Sequence, residues 1–221
     1  MAYDKKYWKY QKQIGQNPFH THFVSEKFIP EIKPSDKVLD FGCGGGFILN
    51  SFNCKKKFGI EINSHAQKQA KSFGIIVVES FDNLKSEYFD IVISNSALEH
   101  INNPLEILLQ SHRVLKKNGK LIFSVPHEDL SYNFQHNDIN QHLYTWSPMS
   151  FGNLVQKAGF KILKVVTNKI ITPPFAYYFY SLFGLKGYKL AGKLYRALRK
   201  LFIPIKRMGV TGDIIVYAVK E

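Results

Sequence analysis

The sequence predicts an α/β fold, a doubly wound and mostly parallel seven-stranded sheet, and three observations predict it. Short apolar runs alternate with segments of helical period, the pattern of successive βαβ units. The first run, Val38-Leu39-Asp40-Phe41, leads into a turn of Gly42-Cys43-Gly44-Gly45-Gly46. The second, Phe58-Gly59-Ile60, ends in Glu61, nineteen residues after Gly42. A glycine-rich turn followed by an acid-tipped second strand is how such sheets build a ligand crevice beyond their carboxyl ends.

The elements follow in order. Lys37–Phe41 is the first strand, and a helix starts over Phe47–Phe52 after the turn. Lys57–Glu61 is the second strand, with a helix from His65 to Phe73. Ile75–Glu79 reads as a short buried strand. Phe89–Ser94 is a continuous apolar run, suited to a parallel strand covered on both faces. Pro104 fits the first turn of a helix expected to reach Leu115 and to end at Asn118-Gly119. Lys120–Val125 is the fifth strand, Pro148–Ala158 a helix stopped by Gly159, and Lys161–Thr167 the sixth strand. Asp213–Val219 is the last. Residues 36–168 thus form a core, completed by 213–221, with 1–35 as an N-terminal helix or lid and 169–212 as a helical insertion.

At 221 residues, with 45% hydrophobic and 14% aromatic side chains, the chain can bury a core, which excludes global disorder. Cys43 and Cys54 make no disulfide framework, so a reducing cytoplasm is expected. No signal-peptide stretch follows Met1, and no apolar run is long enough to span a bilayer. The net charge of +13 is unevenly placed: residues 139–212 hold 12 Lys/Arg and no Asp or Glu. That stretch points to an anionic partner or to a merely soluble face.

Asp40 sharpens the glycine turn. A dinucleotide site needs amides facing a pyrophosphate, and a carboxylate two residues before the first glycine would repel that anion. A cationic ligand without phosphate is favoured, and S-adenosylmethionine is one. The chain resembles the class I S-adenosylmethionine-dependent methyltransferases, of methyltransferase type 11/12 kind. The resemblance rests on Val38 to Gly46, on Glu61, on Phe89-Asp90-Ile91-Val92-Ile93-Ser94-Asn95-Ser96-Ala97-Leu98-Glu99-His100, and on Leu115 to Ile122. It implies an antiparallel final strand, supplied by Asp213–Val219.

It also implies roles. Gly42 and Gly44 lie against the methionine and ribose parts of the cofactor. Asp40 acts near the methionine ammonium, Glu61 accepts from the ribose hydroxyls, and Ile62 packs on the adenine. Ser80 and Phe81 flank the adenine, where many relatives carry an aspartate. Asn95 and Ser96 border the methionine end. His100 and His127, beyond the fourth and fifth strands, are candidate general bases, because imidazole titrates near neutrality. The polar, aromatic segment Pro126 to Trp146 is expected to cover an acceptor pocket and to suit a hydroxylated acceptor. His136, Asp138 and His142 match no strong metal-ligand spacing, so no metal is expected.

Within the insertion, Lys186, Lys189, Lys193, Arg196, Arg199 and Lys200 share one side of a helix, with Leu190, Leu194, Leu198 and Phe202 opposite. Residues 175–205 are therefore expected to meet an anionic membrane surface or lipid-linked acceptor, or to pack on the domain. The reading is a bacterial methyltransferase, cytoplasmic or peripheral at the inner membrane, O-methylating a small molecule or glycan precursor, as in polysaccharide biosynthesis. RNA methylation and a non-catalytic, nucleotide-binding or membrane-associated scaffold on the same fold are the alternatives; no RNA-binding module is visible.

Overall fold

Val38 and Leu39 are both fully buried, and they point to opposite faces of one sheet. The computed structural model describes residues 5–128, 134, 136, 138–169, 178, 180–184, 186, 187, 190, 194 and 212–221. Its strands are β1 (Lys37–Phe41), β2 (Lys56–Ile60), β3 (Ile76–Val78), β4 (Phe89–Asn95), β5 (Leu115–His127), β6 (Lys161–Lys169) and β7 (Gly212–Val219). They form one sheet in the order β3-β2-β1-β4-β5-β7-β6. The first five run parallel, and β7 is antiparallel to both β5 and β6. The expected fold class is therefore observed, including the reversed final strand.

Helices cover both faces: α1 (Lys5–Gln16), α2 (Pro18–Ser25), α3 (Phe47–Asn50), α4 (Ser64–Ser72), α5 (Pro104–Val114) and α6 (Pro148–Lys157). Leu39, Val92, Leu121 and Phe123 pack with Leu108, Phe151 and Val155 on one face. Val38, Ile91, Ile93 and Ile122 pack with Leu49, Phe52 and Ala70 on the other. Burial on both faces explains why the central strands read as unbroken apolar runs.

Three expectations are corrected. The helix after the glycine turn spans only Phe47–Asn50. Strand β3 is an edge strand whose Ile76 is 48% exposed, so it is not a buried strand; Ile75, just before it, faces the core. Helix α5 stops at Val114, and Leu115 is already extended with ψ 141°. Asn118-Gly119 does not end a helix, because C-terminal pairing claims it. Asn118 N–H donates to the Lys220 carbonyl at 2.8 Å, and Lys220 N–H donates to Gly119 at 3.0 Å. Asn118 takes φ 62°, a left-handed conformation that asparagine tolerates.

Helix α6 begins with a capping box. Ser147 Oγ accepts from Ser150 N–H at 3.0 Å, while Ser147 N–H donates to Ser150 Oγ at 3.1 Å. Ser147→Ala is expected to lower stability by about 1 kcal/mol, read as a shift in thermal midpoint. The N-terminal region is two helices, and they lie over the glycine turn. A Cβ added at Gly15 would stand 2.2 Å from the Phe47 ring, and one at Gly45 would stand 2.8 Å from Trp8. Among the described residues no helix is long and apolar enough to cross a membrane. Of the six cations on the expected basic face, only Lys186 lies among the described residues.

Candidate active site

The strand order reverses between β1 and β4, which opens a crevice beyond their carboxyl ends. A cavity of about 540 Å³ lies there, walled by the glycine turn, the ends of β2 and β4, helix α1 and loop residues 140 and 142. Gly42, Gly44, Glu61, Ile62, Ser80, Phe81, Asn95, Ser96 and His100 all line it.

Gly44 has φ +52°, and a Cβ there would meet no atom within 4 Å, so its missing side chain is cavity space. Glu61 Oε2 accepts from Gly44 N–H at 2.9 Å, and Oε1 accepts from Asn63 N–H at 2.7 Å. The carboxylate thus ties the tip of β2 to the glycine turn. Burial pushes its carboxyl upward, and the amide bonds from Asn63, Ile62 and Gly44 oppose that shift. Ile62 is 62% exposed at the mouth, ready to cover a planar ring. Ser80 Oγ donates to Asp82 Oδ2 at 2.8 Å. Phe81 stacks on Phe41 with centroids 5.7 Å apart, which fixes that wall. Ser96 turns the chain at φ 52°, its N–H donating to Ser124 at 2.9 Å.

Two expected residues are placed elsewhere. Asp40 is buried behind the turn and does not line the cavity; burial and the nearby Glu61 hold its carboxyl well above the usual range. His127 is half-buried on β5 opposite Gly212 and does not line the cavity either, whereas Pro126 does. Successive strand residues point opposite ways, so only one of the pair can face the crevice.

The cavity's imidazoles are His20, His100 and His142. His100 and His142 pack edge to face, with centroids 4.9 Å apart. Burial and the neighbouring His142 lower His100 to about 4, so at neutral pH it is a neutral hydrogen-bond acceptor. His142 Nδ1 contacts Glu128 Oε1, and Thr145 Oγ1 donates to Glu128 Oε2 at 3.1 Å. Beside both rings lies Glu99, fully buried, with neither carboxylate oxygen hydrogen-bonded to another described residue. Burial pushes its carboxyl up to about 8.

Beside this cluster Lys27 is buried with its ammonium 2.6 Å from Asp213, 2.8 Å from Asn95 Oδ1 and 3.1 Å from Ser124 Oγ. Asn95 therefore commits its amide oxygen and keeps its NH₂ as a donor. Sequence reasoning assigned no role to Lys27, Glu99, Glu128, Trp8 or Tyr10. Glu99 falls in the Leu98-Glu99-His100 run of the resemblance, and Glu128 in the polar segment Pro126 to Trp146.

A family model described as a methyltransferase domain matches residues 10–165. The ubiquinone biosynthesis O-methyltransferase of Nitrosomonas europaea is 28% identical over 120 residues, covering 49% of this chain and 50% of that protein. The human mitochondrial arginine-hydroxylase NDUFAF5 is 28% identical over 152 residues, covering 60% and 44%. An uncharacterized protein of Methanocaldococcus jannaschii is 29% identical over 134 residues, covering 58% and 62%. The chain therefore spans 44 to 62% of the length of these curated relatives. Among solved structures, phosphoethanolamine N-methyltransferase 2 of Haemonchus contortus with S-adenosyl-L-methionine superposes at TM-score 0.62 and 15% identity, covering 91% of this chain and 52% of that one. The [4+2]-cyclase SpnF superposes at 0.59 and 18% identity, covering 90% and 80%. Those identities speak for the fold alone. The family match extends over well more than half the sequence, and the chain belongs to the methyltransferase-domain family, on the class I methyltransferase fold.

Proposed function

We propose that this chain binds S-adenosylmethionine and methylates a hydroxyl oxygen of a small-molecule or glycan acceptor. The observation that carries the reading is the turn at Gly44. It is open to the cavity and tied to Glu61, with the acid Asp40 behind it and no Lys or Arg among the described residues that line the cavity. A volume of about 540 Å³ is in the range of small-molecule sites.

When bound, S-adenosylmethionine would supply an electrophilic methyl group on a cationic sulfur. Glu61 would exchange its amide contacts for, or share them with, the ribose hydroxyls, and Ile62 would cover the adenine. Asn95 and Ser96 would border the methionine end. Trp8 and Tyr10 of α1 line the same cavity. Holding the two reactants in line can contribute roughly 7–11 kcal/mol of barrier lowering in favourable models. The acceptor then lies toward Asn140, His100 and His142. Its oxygen gains the methyl as the carbon–sulfur bond breaks toward sulfur, and its proton leaves on the side of the imidazoles.

Glu61→Ala should weaken S-adenosylhomocysteine binding tenfold or more, because charge-assisted hydrogen bonds contribute about 1.5–3 kcal/mol. Calorimetry showing unchanged affinity, or tighter binding of NAD, would overturn the assignment. His100→Ala should keep that affinity and lose about 10²–10⁴ in single-turnover rate. His127→Ala, off the cavity, should keep both. Turnover also separates an enzyme from a scaffold on this fold.

The acid-free stretch 139–212 supports an anionic acceptor or surface as partner. Liposome sedimentation should show salt-sensitive binding to anionic vesicles and none to neutral ones. Equal recovery in both supernatants at low salt would leave that stretch without a membrane role.

A further inference from the structure

We propose that Glu99, His100 and His142 form a binding site for a divalent transition-metal ion on the acceptor side of the cavity, with Glu128 orienting His142. Their ligand atoms all lie within 4.8 Å of one another. Glu99 Oε1 is 3.9 Å from His142 Nε2 and 4.0 Å from His100 Nε2. Hydrogen bonds between such groups close to about 2.7–3.2 Å, so neither imidazole is bonded to the carboxylate. Around a tetrahedral ion at about 2.0–2.2 Å, ligand atoms stand about 3.3–3.6 Å apart, so the three groups would draw in by about half an ångström or more to hold one.

Glu99 supplies the second observation. Its side chain is fully buried and lines the cavity, and neither oxygen is hydrogen-bonded to another described residue, only its own backbone amide favouring the charged form. A buried carboxylate demands a proton or a cation. Lys27 is the nearby cation, but its ammonium is held by Asp213, Asn95 and Ser124. An ion shared with the two imidazoles meets the demand directly.

The surroundings are arranged as they are behind metal-bound histidines. Glu128 sits on Nδ1 of His142, which leaves Nε2 to present its lone pair toward Glu99, and Thr145 steadies Glu128. The loop carrying His142 is fastened by the two residues that follow it. Leu143 N–H donates to the Glu99 carbonyl at 2.9 Å, and Tyr144 Oη donates to the Asn102 carbonyl at 2.8 Å. This cluster joins two distant chain segments, which is why spacing along the sequence gave no hint of it.

Two imidazoles and one carboxylate suit zinc, manganese or iron(II) better than magnesium or calcium. Three protein ligands leave open positions facing the cavity. Resting on the methyltransferase reading, those positions would take one or two acceptor oxygens, as in a vicinal diol or a hydroxy-carbonyl. A bound ion would supply Lewis acidity that makes a coordinated acceptor hydroxyl easier to deprotonate, so that no strongly basic side chain would be needed.

The test uses the full chain, stripped with a chelator and titrated with zinc chloride and with manganese chloride, without acceptor. Calorimetry and manganese electron paramagnetic resonance should show one ion per chain. Glu99→Gln and His142→Ala should each weaken uptake by about 100-fold or more, and Glu128→Gln by about 10–100-fold. His65→Ala, exposed on α4, should leave uptake unchanged. S-adenosylhomocysteine affinity and circular dichroism report that each variant is folded, and His142→Ala, in a loop, carries the test if Glu99→Gln does not fold. No uptake by the wild type, or equal uptake by wild type and His142→Ala, overturns the site. Such a failure with S-adenosylhomocysteine still bound leaves the methyltransferase reading standing; metal uptake without S-adenosylhomocysteine binding does the reverse.

Discussion

Lys27→Ala is expected to lower the stability of the fold by about 3–5 kcal/mol, the cost of breaking a buried ion pair from one side. That is a large share of the 5–15 kcal/mol typical of a whole domain. The ammonium is almost fully enclosed and satisfies three groups at once: Asp213 at the start of β7, Asn95 at the end of β4 and Ser124 in β5. Its own carbonyl accepts from Tyr217 Oη at 2.9 Å. Burial depresses the Lys27 pKa, and Asp213 pulls it the other way. Alanine would leave the Asp213 carboxylate and the Asn95 oxygen without that partner. Urea denaturation followed by circular dichroism measures the loss. Lys27→Met with Asp213→Leu should recover much of it, because removing both partners removes the unpaired charge. A loss below about 1 kcal/mol for Lys27→Ala would mean that the pair behaves like an exposed one.

Gly46→Ala and Gly44→Ala should separate two kinds of glycine in one turn. At Gly46, φ is +75° and an added Cβ would stand 2.5 Å from Ile75 Cδ1, 3.0 Å from Ala70 Cβ and 3.1 Å from Ala70 Cα. Left-handed strain costs about 1–2 kcal/mol and overpacking about 1–3, so the fold should lose roughly 2–5 kcal/mol. Gly44 shares the positive φ but meets nothing within 4 Å. Its variant should lose only the strain, with the larger effect on S-adenosylhomocysteine affinity, because the new methyl occupies ligand space. Denaturant midpoints and calorimetry on the two variants give the comparison. Equal stability losses with unchanged affinity would mean that Gly44 serves the turn and not the ligand.

The sheet was legible because its signal is local. Val38-Leu39, Ile91-Val92-Ile93 and Leu121-Ile122-Phe123 each alternate between two buried faces, and any strand covered on both sides must read as such a run. The errors fall where a distant segment competes with a local preference. Asn118-Gly119 does not end helix α5, because Lys220, far along the chain, pairs with both residues. Strand β3 was expected to be buried, but among the described residues no strand lies beyond it, and Ile76 faces solvent.

The cofactor half of the site was likewise written in short motifs, since Gly44, Glu61 and Ile62 need only the strand-and-turn geometry that their own neighbours impose. The acceptor half was not. Lys27 closes on Asp213, and His142 closes on Glu99, only after β4, β5 and β7 have lined up side by side. What the sequence by itself determined was the sheet, the glycine turn and its acidic partner, because backbone conformation and burial period act over a few residues. Tertiary structure alone decided which imidazoles face the cavity and which carboxylate is left buried beside them, because those follow from strand order and from loops that meet across the chain.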